Sequence, residues 1–304
     1  MSDLILWSYD ASPFTQKALR MLGIKGLAWR WVETPMMPPK DDLASLTGGY
    51  RGTPVLQVGA DVYVDSQLIA VELERRHPQP TLFPAGKGIE LALVKWSDAF
   101  FRSGLKIALA LMLPDWPDEF RQDRQYLFPD IDFETVGEDF EHARSQFRAH
   151  AAVLEAQLAD GRRFLAGARP GLADVQAHPF LWLARGGFPE LAAQLVDGFG
   201  RLQEWEQAMA AIGEGTRTAV TAREAFAAAR AASPVAAAEA DPADAQGLHI
   251  GQRVEVAPDD TRRGAVQGEV VVAAPNRIAV RRAHEALGEV VVHFPRLGYR
   301  VRPL

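Results

Sequence analysis

Three short stretches carry the residue types from which a site could be built. Arg51-Gly52-Thr53-Pro54-Val55-Leu56 puts a proline at the head of an apolar run, where it can open an edge strand. Asp65-Ser66 follows eleven residues after Pro54, at the start of a segment with helical spacing. An acid and a serine there either cap the helix or, with its first-turn amides, hold an anion. Tyr9-Asp10-Ala11-Ser12-Pro13-Phe14-Thr15 offers Ser12 as an N-cap ahead of a first-turn proline. The chain has no cysteine, so disulfides, thiolate metal sites and protein thiol chemistry are excluded, and any sulfur chemistry must use a borrowed thiol. Seven histidines are scattered with no HExxH motif and no tight His/Asp cluster, so no metal is expected.

These residues need elements to position them. Leu4 to Ser8 reads as a buried strand and Phe14 to Leu22 as a helix ending near Gly23. Trp29 to Glu33 reads as a second strand, followed by a proline-rich loop from Pro35 to Pro39. Val55 to Val58 and Val62 to Val64 flank Gly59-Ala60-Asp61 as a hairpin, and Ser66 to His77 is a helix stopped by Pro78. The order over residues 1–80 is β-α-β-loop-β-β-α. Residues 89–226 show no strand pattern and read as a helical bundle, broken near 113–135 by Pro114, Trp116, Pro117 and Pro129. Residues 227–246 are alanine-rich with Pro234 and Pro242, a tether with little to bury. Residues 247–304 read as four or five strands, a small all-β module of SH3-like or OB-like barrel type, expected to dock on the helical domain.

The length of 304 residues calls for several domains, and no apolar stretch is long enough to cross a membrane. The start lacks a basic leader pattern, so a cytoplasmic location is expected. Net charge is −6, yet residues 247–304 hold nine Arg, no Lys and six acids. That modest excess suits a solvated strand face, and nucleic acid is not expected as a partner.

The first 80 residues resemble the N-terminal domain of the cytosolic glutathione S-transferase family, on Thr53-Pro54-Val55 with Asp65-Ser66 and on the Ser12 loop of its serine-type members. The resemblance implies a thioredoxin-like α/β domain, an all-α bundle domain and glutathione as co-substrate. It implies a cis Pro54 that with Val55 aligns the cysteinyl unit, Thr53 as a further glutathione-binding residue, and Asp65 and Ser66 holding the γ-glutamyl end. Ser12 would then donate to the glutathione sulfur and favour thiolate over thiol together with the helix dipole, with Tyr9 as the alternative. Trp96, Phe100 and Trp116 lie where the family builds its pocket for a small electrophile; ordinary core packing is the competing reading for each. Leu172-Ala173-Asp174 resembles the start of the central helix of the second domain, with Gly171 standing where a Ser or Thr cap is usual. Asp174 is accordingly structural. His293 and Arg296 define no site; His293 could face solvent and Arg296 could bridge to the acidic body. The resemblance implies a homodimer. A non-enzymatic scaffold and a glutathione-dependent isomerase or peroxidase are the other functions open to it.

Overall fold

Leu4–Ser8 forms strand β1, buried along its whole length as an apolar run covered on both faces must be. The computed structural model describes residues 3–234 and 238–304. After β1 come α1 (Pro13–Ile24), β2 (Ala28–Glu33), α2 (Asp41–Thr47), β3 (Val55–Val58), β4 (Asp61–Val64) and α3 (Ser66–Arg76). β1 runs parallel to β2 and antiparallel to β3, which is antiparallel to β4. The expected order holds, with α2 as an unforeseen short helix that has two acids in its first turn and ends at Gly48 in the left-handed conformation, φ 85°.

Six further helices follow: α4 (Lys87–Met112), α5 (Asp118–Leu127), α6 (Phe140–Leu158), α7 (Leu172–Gly187), α8 (Pro189–Leu195) and α9 (Gly200–Ala210). Phe100 on α4 centres their core, with ring centroids 4.8 Å from Phe147 and 5.5 Å from Phe180. The proline-interrupted stretch packs against α4, where its Ile131 and Phe133, with Val136, cluster with Leu105, Leu109 and Leu113.

The remainder departs from expectation. Thr216–Ala219 is a strand, β5, parallel to β2. It is followed by α10 (Ala222–Arg230), β6 (Glu239–Ala240), β7 (Arg253–Pro258), β8 (Val266–Ala274), β9 (Arg277–His284), β10 (Gly288–Pro295) and β11 (Tyr299–Pro303). The five strands β7 to β11 are the small β module, but β10 pairs in parallel with β4. One sheet therefore runs β11-β7-β8-β9-β10-β4-β3-β1-β2-β5, with β6 on β8. The module belongs to the first domain's sheet and not to the helical bundle, because an unpaired β4 edge is a template for another strand. Two units result: residues up to Thr15 with Leu27–Glu72 and everything from Thr216, and Gln16–Gly26 with Leu73–Gly215. The helical domain thus ends at Gly215 instead of Phe226.

The alanine-rich tether is also corrected over its first part. Thr221 and Glu224 form a capping box, and the helix that it starts buries Ala225 and Ala229 completely. Phe226 stacks on Trp7 with centroids 5.7 Å apart. Gln57, wholly buried in β3, accepts from Trp7 Nε1 at 2.9 Å and donates to Ala225 O at 2.7 Å, so its amide is satisfied inside the sheet. Residues 235–237 of the expected tether lie outside the described residues. His293 is buried at the β10–β4 seam, where its Nε2 lies 2.8 Å from Asp61 Oδ1 and its ring stacks on Tyr63. Solvent exposure for His293 was the wrong reading because its strand gains a neighbour on each edge. Arg296 pairs with Asp244 of the same unit at 2.9 Å.

Candidate functional site

Strand register brings the candidate residues together. Trp7 of β1 stands opposite Val55 of β3, and Val55 opposite Val64 of β4. That row places the loop after β1, the approach to β3 and the start of α3 at one end of the sheet. Ser12, Thr53-Pro54 and Asp65-Ser66 occupy those three segments.

The Thr53-Pro54 bond is cis. Val55, buried with Trp7 on one side and Val64 on the other, is enclosed by the ladder, and β3 is no edge strand. Thr53, ahead of the proline, is half-buried, whereas Val55 has a strand partner on each side, against the aligning role expected of it. Ser12 caps α1, its Oγ accepting from Thr15 N at 3.3 Å, while Ser12 N donates to Tyr9 O at 3.2 Å. A hydroxyl accepting in this way still has its own proton to donate. Lys40, just ahead of α2, puts Nζ 5.2 Å from the centre of the Tyr9 ring and 3.3 Å from Arg51 O. Lys40 escaped the sequence reading because a lysine before a short helix has no signature.

Asp65 has φ 73°, the one non-glycine residue with positive φ among the described residues. Aspartate tolerates this conformation better than most, and here it swings the chain from β4 into α3. Its Oδ1 accepts from Gln67 N at 3.0 Å and its carbonyl from Ile69 N at 3.0 Å. Ser66 is the first residue of α3, at a helix end whose amides favour an anion.

A polar chain reaches Asp65 from the β module. Tyr299 Oη donates to Asp65 Oδ2 at 3.2 Å and lies 3.3 Å from Tyr50 Oη, and Arg263 Nη1 donates to Tyr50 Oη at 3.4 Å. Arg263 also holds both oxygens of Asp260, and its carbonyl accepts from Arg51 N at 2.7 Å. Burial pushes the Tyr299 phenol well above its ordinary pKa, with Tyr50 and Asp65 adding to the rise. Burial likewise raises Tyr50, against the nearby Arg263 charge.

The family model for the glutathione S-transferase N-terminal domain matches residues 6–81 and that for the C-terminal domain residues 137–208. A solved GST-like protein from Pseudomonas syringae is 33% identical, with 100% of each chain covered and a TM-score of 0.83. The chain belongs to the glutathione S-transferase family. A glutathione transferase from Populus trichocarpa is 20% identical over 68% of this chain and 93% of its own, TM-score 0.50. A Tau class glutathione S-transferase from mango, Mangifera indica, is 17% identical over 69% and 89%, TM-score 0.52; these two share the fold. No curated protein matches the sequence.

In the helical domain of this transferase-family chain, the aromatic candidates separate. Phe100 is wholly buried among Phe147, Phe180 and His150, so it is core and cannot line an open pocket. Trp96 is half-buried against Phe100 and His150. Trp116, also half-buried, packs edge-on to Phe120 at 4.7 Å within the interrupted stretch.

The start of α7 shows what replaced the missing cap. Asp174 Oδ2 accepts from Gly171 N at 2.9 Å, and its Oδ1 from Leu165 N at 2.8 Å and Trp205 Nε1 at 2.7 Å. Glu90 of α4 accepts from Ala173 N at 2.9 Å and Ala85 N at 2.9 Å. A Cβ on Gly171 would meet Glu90 Oε2 at 2.7 Å and Pro84 Cδ at 2.6 Å, so Glu90 fills the space of the absent side-chain cap. The expected loss of that cap is made good from another helix. Lys17, buried on α1, donates to Gln176 Oε1 at 2.5 Å and sits 4.9 Å from the Phe180 ring centre. Among the described residues no group of three or more His, Asp or Glu could hold a metal ion. No helix among them is long and apolar enough to cross a membrane.

Proposed function

We propose that the protein is a glutathione transferase that activates the glutathione thiolate for attack on a small apolar electrophile. The register that brings Ser12, cis Thr53-Pro54 and Asp65-Ser66 to one sheet end carries the reading. Ser12, its oxygen already accepting from Thr15 N, donates its proton to the sulfur and lowers the thiol pKa with the help of the α1 N-terminus. Thr53 offers backbone to the cysteinyl unit. Ser66 and the α3 amides take the γ-glutamyl carboxylate, and Asp65 faces the ammonium on the same carbon. Lys40 supplies positive charge for the second carboxylate of the peptide. Tyr9 is the alternative activator, and Trp96 and Trp116 are the remaining candidates for the electrophile side.

Calorimetric titration of reduced glutathione tests the reading, with Ser66→Ala beside the wild type. Saturable binding that weakens in the variant is expected; no binding at millimolar concentration sinks it and leaves the non-enzymatic scaffold. With binding in hand, Ser12→Ala is expected to lower turnover by about 100-fold, the scale of losing one donor to a developing anion; unchanged turnover passes the role to Tyr9. Isomerase or peroxidase activity would use the same peptide residues and differ in the acceptor. Homodimer formation and a cytoplasmic location belong to the same proposal, and sedimentation as a monomer at micromolar concentration would oppose the former.

A further inference from the structure

The protons in the Arg263–Tyr50–Tyr299–Asp65 chain can run in one direction only. Asp65 Oδ2 can only accept, so Tyr299 spends its single hydroxyl proton there. The Tyr50–Tyr299 contact then requires Tyr50 to donate, and Tyr50 in turn accepts from Arg263, which can only donate. Every member is satisfied, and the chain starts on the loop before β8 and ends on Asp65, the residue just ahead of α3. Two further ties join that loop to the approach to Pro54. Arg51 N donates to Arg263 O, and Gly264 lies so close that a Cβ there would fall 2.2 Å from Gly49 O. The module is thus built into the back of the candidate peptide site.

Asp65 needs such support. With φ 73° its carboxylate leaves β4 in a conformation that few side chains adopt, and Oδ1 is already tied to Gln67 N. Without a partner on Oδ2, the group could pivot about that single bond. With Tyr299 in place both oxygens are pinned, and each keeps a lone pair for a ligand.

Resting on the glutathione reading above, we propose that Tyr299 is a positioning residue. It aims the Asp65 carboxylate at the ammonium of the γ-glutamyl unit, so that the β module sets the enzyme's affinity for that end of the peptide. The Tyr299 phenol keeps its proton across the neutral range, so its contribution is constant with pH there.

The test compares glutathione with its deaminated analogue, which keeps both carboxylates and the thiol but lacks the ammonium, titrated by calorimetry into wild type, Tyr299→Phe and Tyr50→Phe. Tyr299→Phe is expected to weaken glutathione by about tenfold, the scale of one hydrogen bond to a charged group, and to leave the analogue unchanged. Tyr50→Phe, which removes the donor behind Tyr299, is expected to act in the same sense by about twofold to threefold. Equal weakening of both ligands, or wild-type affinity for glutathione in Tyr299→Phe, overturns the proposal while the glutathione site stands. Should Tyr299→Phe fail to fold, Tyr50→Phe decides by the same selectivity. Failure of the wild type to bind either ligand, or of Ser66→Ala to weaken both, overturns the underlying reading as well.

Discussion

Two helix starts in this molecule use the same chemistry for opposite ends. At α7, Asp174 and Glu90 accept from the amides of Gly171, Ala173 and Leu165 and from the Trp205 indole, with Asp174 wholly buried. At α3, Asp65 takes one first-turn amide and one phenol and is half-buried, next to a serine. Under the proposed function, an acid at a helix start serves stability when protein groups saturate it, and binding when part of its capacity is left for a ligand. The neighbours decide which.

The widest separation between the two should come from deleting the acids. Asp174→Ala strands three donors in the interior and is expected to cost about 3–5 kcal/mol, measured by urea unfolding. A loss under about 1 kcal/mol would mean that α7 is not saturated as described.

The saturated region should also carry a pH signature. His178 on α7 is buried, and desolvation, with the Arg20 charge, lowers its pKa from 6.5 to about 4. The unfolded chain takes a proton below about pH 6.5 that the folded chain refuses until about pH 4. The stability this histidine contributes is complete above pH 6.5 and is lost as pH falls through that window, by about 3 kcal/mol. Denaturant titrations from pH 7 to 4 on wild type and His178→Gln should show a shallower decline in the variant; parallel curves would reject the assignment.

Gly171→Ser sharpens the contrast because sequence logic and structure predict opposite signs. Restoring a serine cap should stabilise an ordinary helix start by a few tenths of a kcal/mol. Here the new Cβ would collide with Glu90 and Pro84, so a loss of about 1–2 kcal/mol is expected in thermal melts. A gain would show that Glu90 yields the space easily.

The smallest stability effect belongs to Ser66→Ala, expected within about 0.5 kcal/mol because Asp65 provides the cap at that end. A large loss of stability there would make the α3 start a structural site like α7.

Much of this was legible from residue order. The βαβ pattern, the hairpin and the helical run follow from local periodicity and punctuation, which act between near neighbours along the chain. Ser12, Thr53-Pro54 and Asp65-Ser66 stood out because capping and proline geometry are also local. The aromatic candidates were not separable, since Phe100 and Trp96 share one helix and differ only in what packs on them.

Sequence by itself settled most elements of the first 80 residues, the absence of a protein thiol and the family resemblance. Tertiary structure alone decided that the β module continues the first domain's sheet, that Val55 is enclosed by the ladder, that Glu90 replaces a missing cap and that Tyr299 reaches Asp65. Each of these is a pairing between residues tens to hundreds of positions apart. Strand partners and side-chain donors are chosen by which edges and faces remain unsatisfied after local structure forms, and that competition leaves no periodicity in the chain.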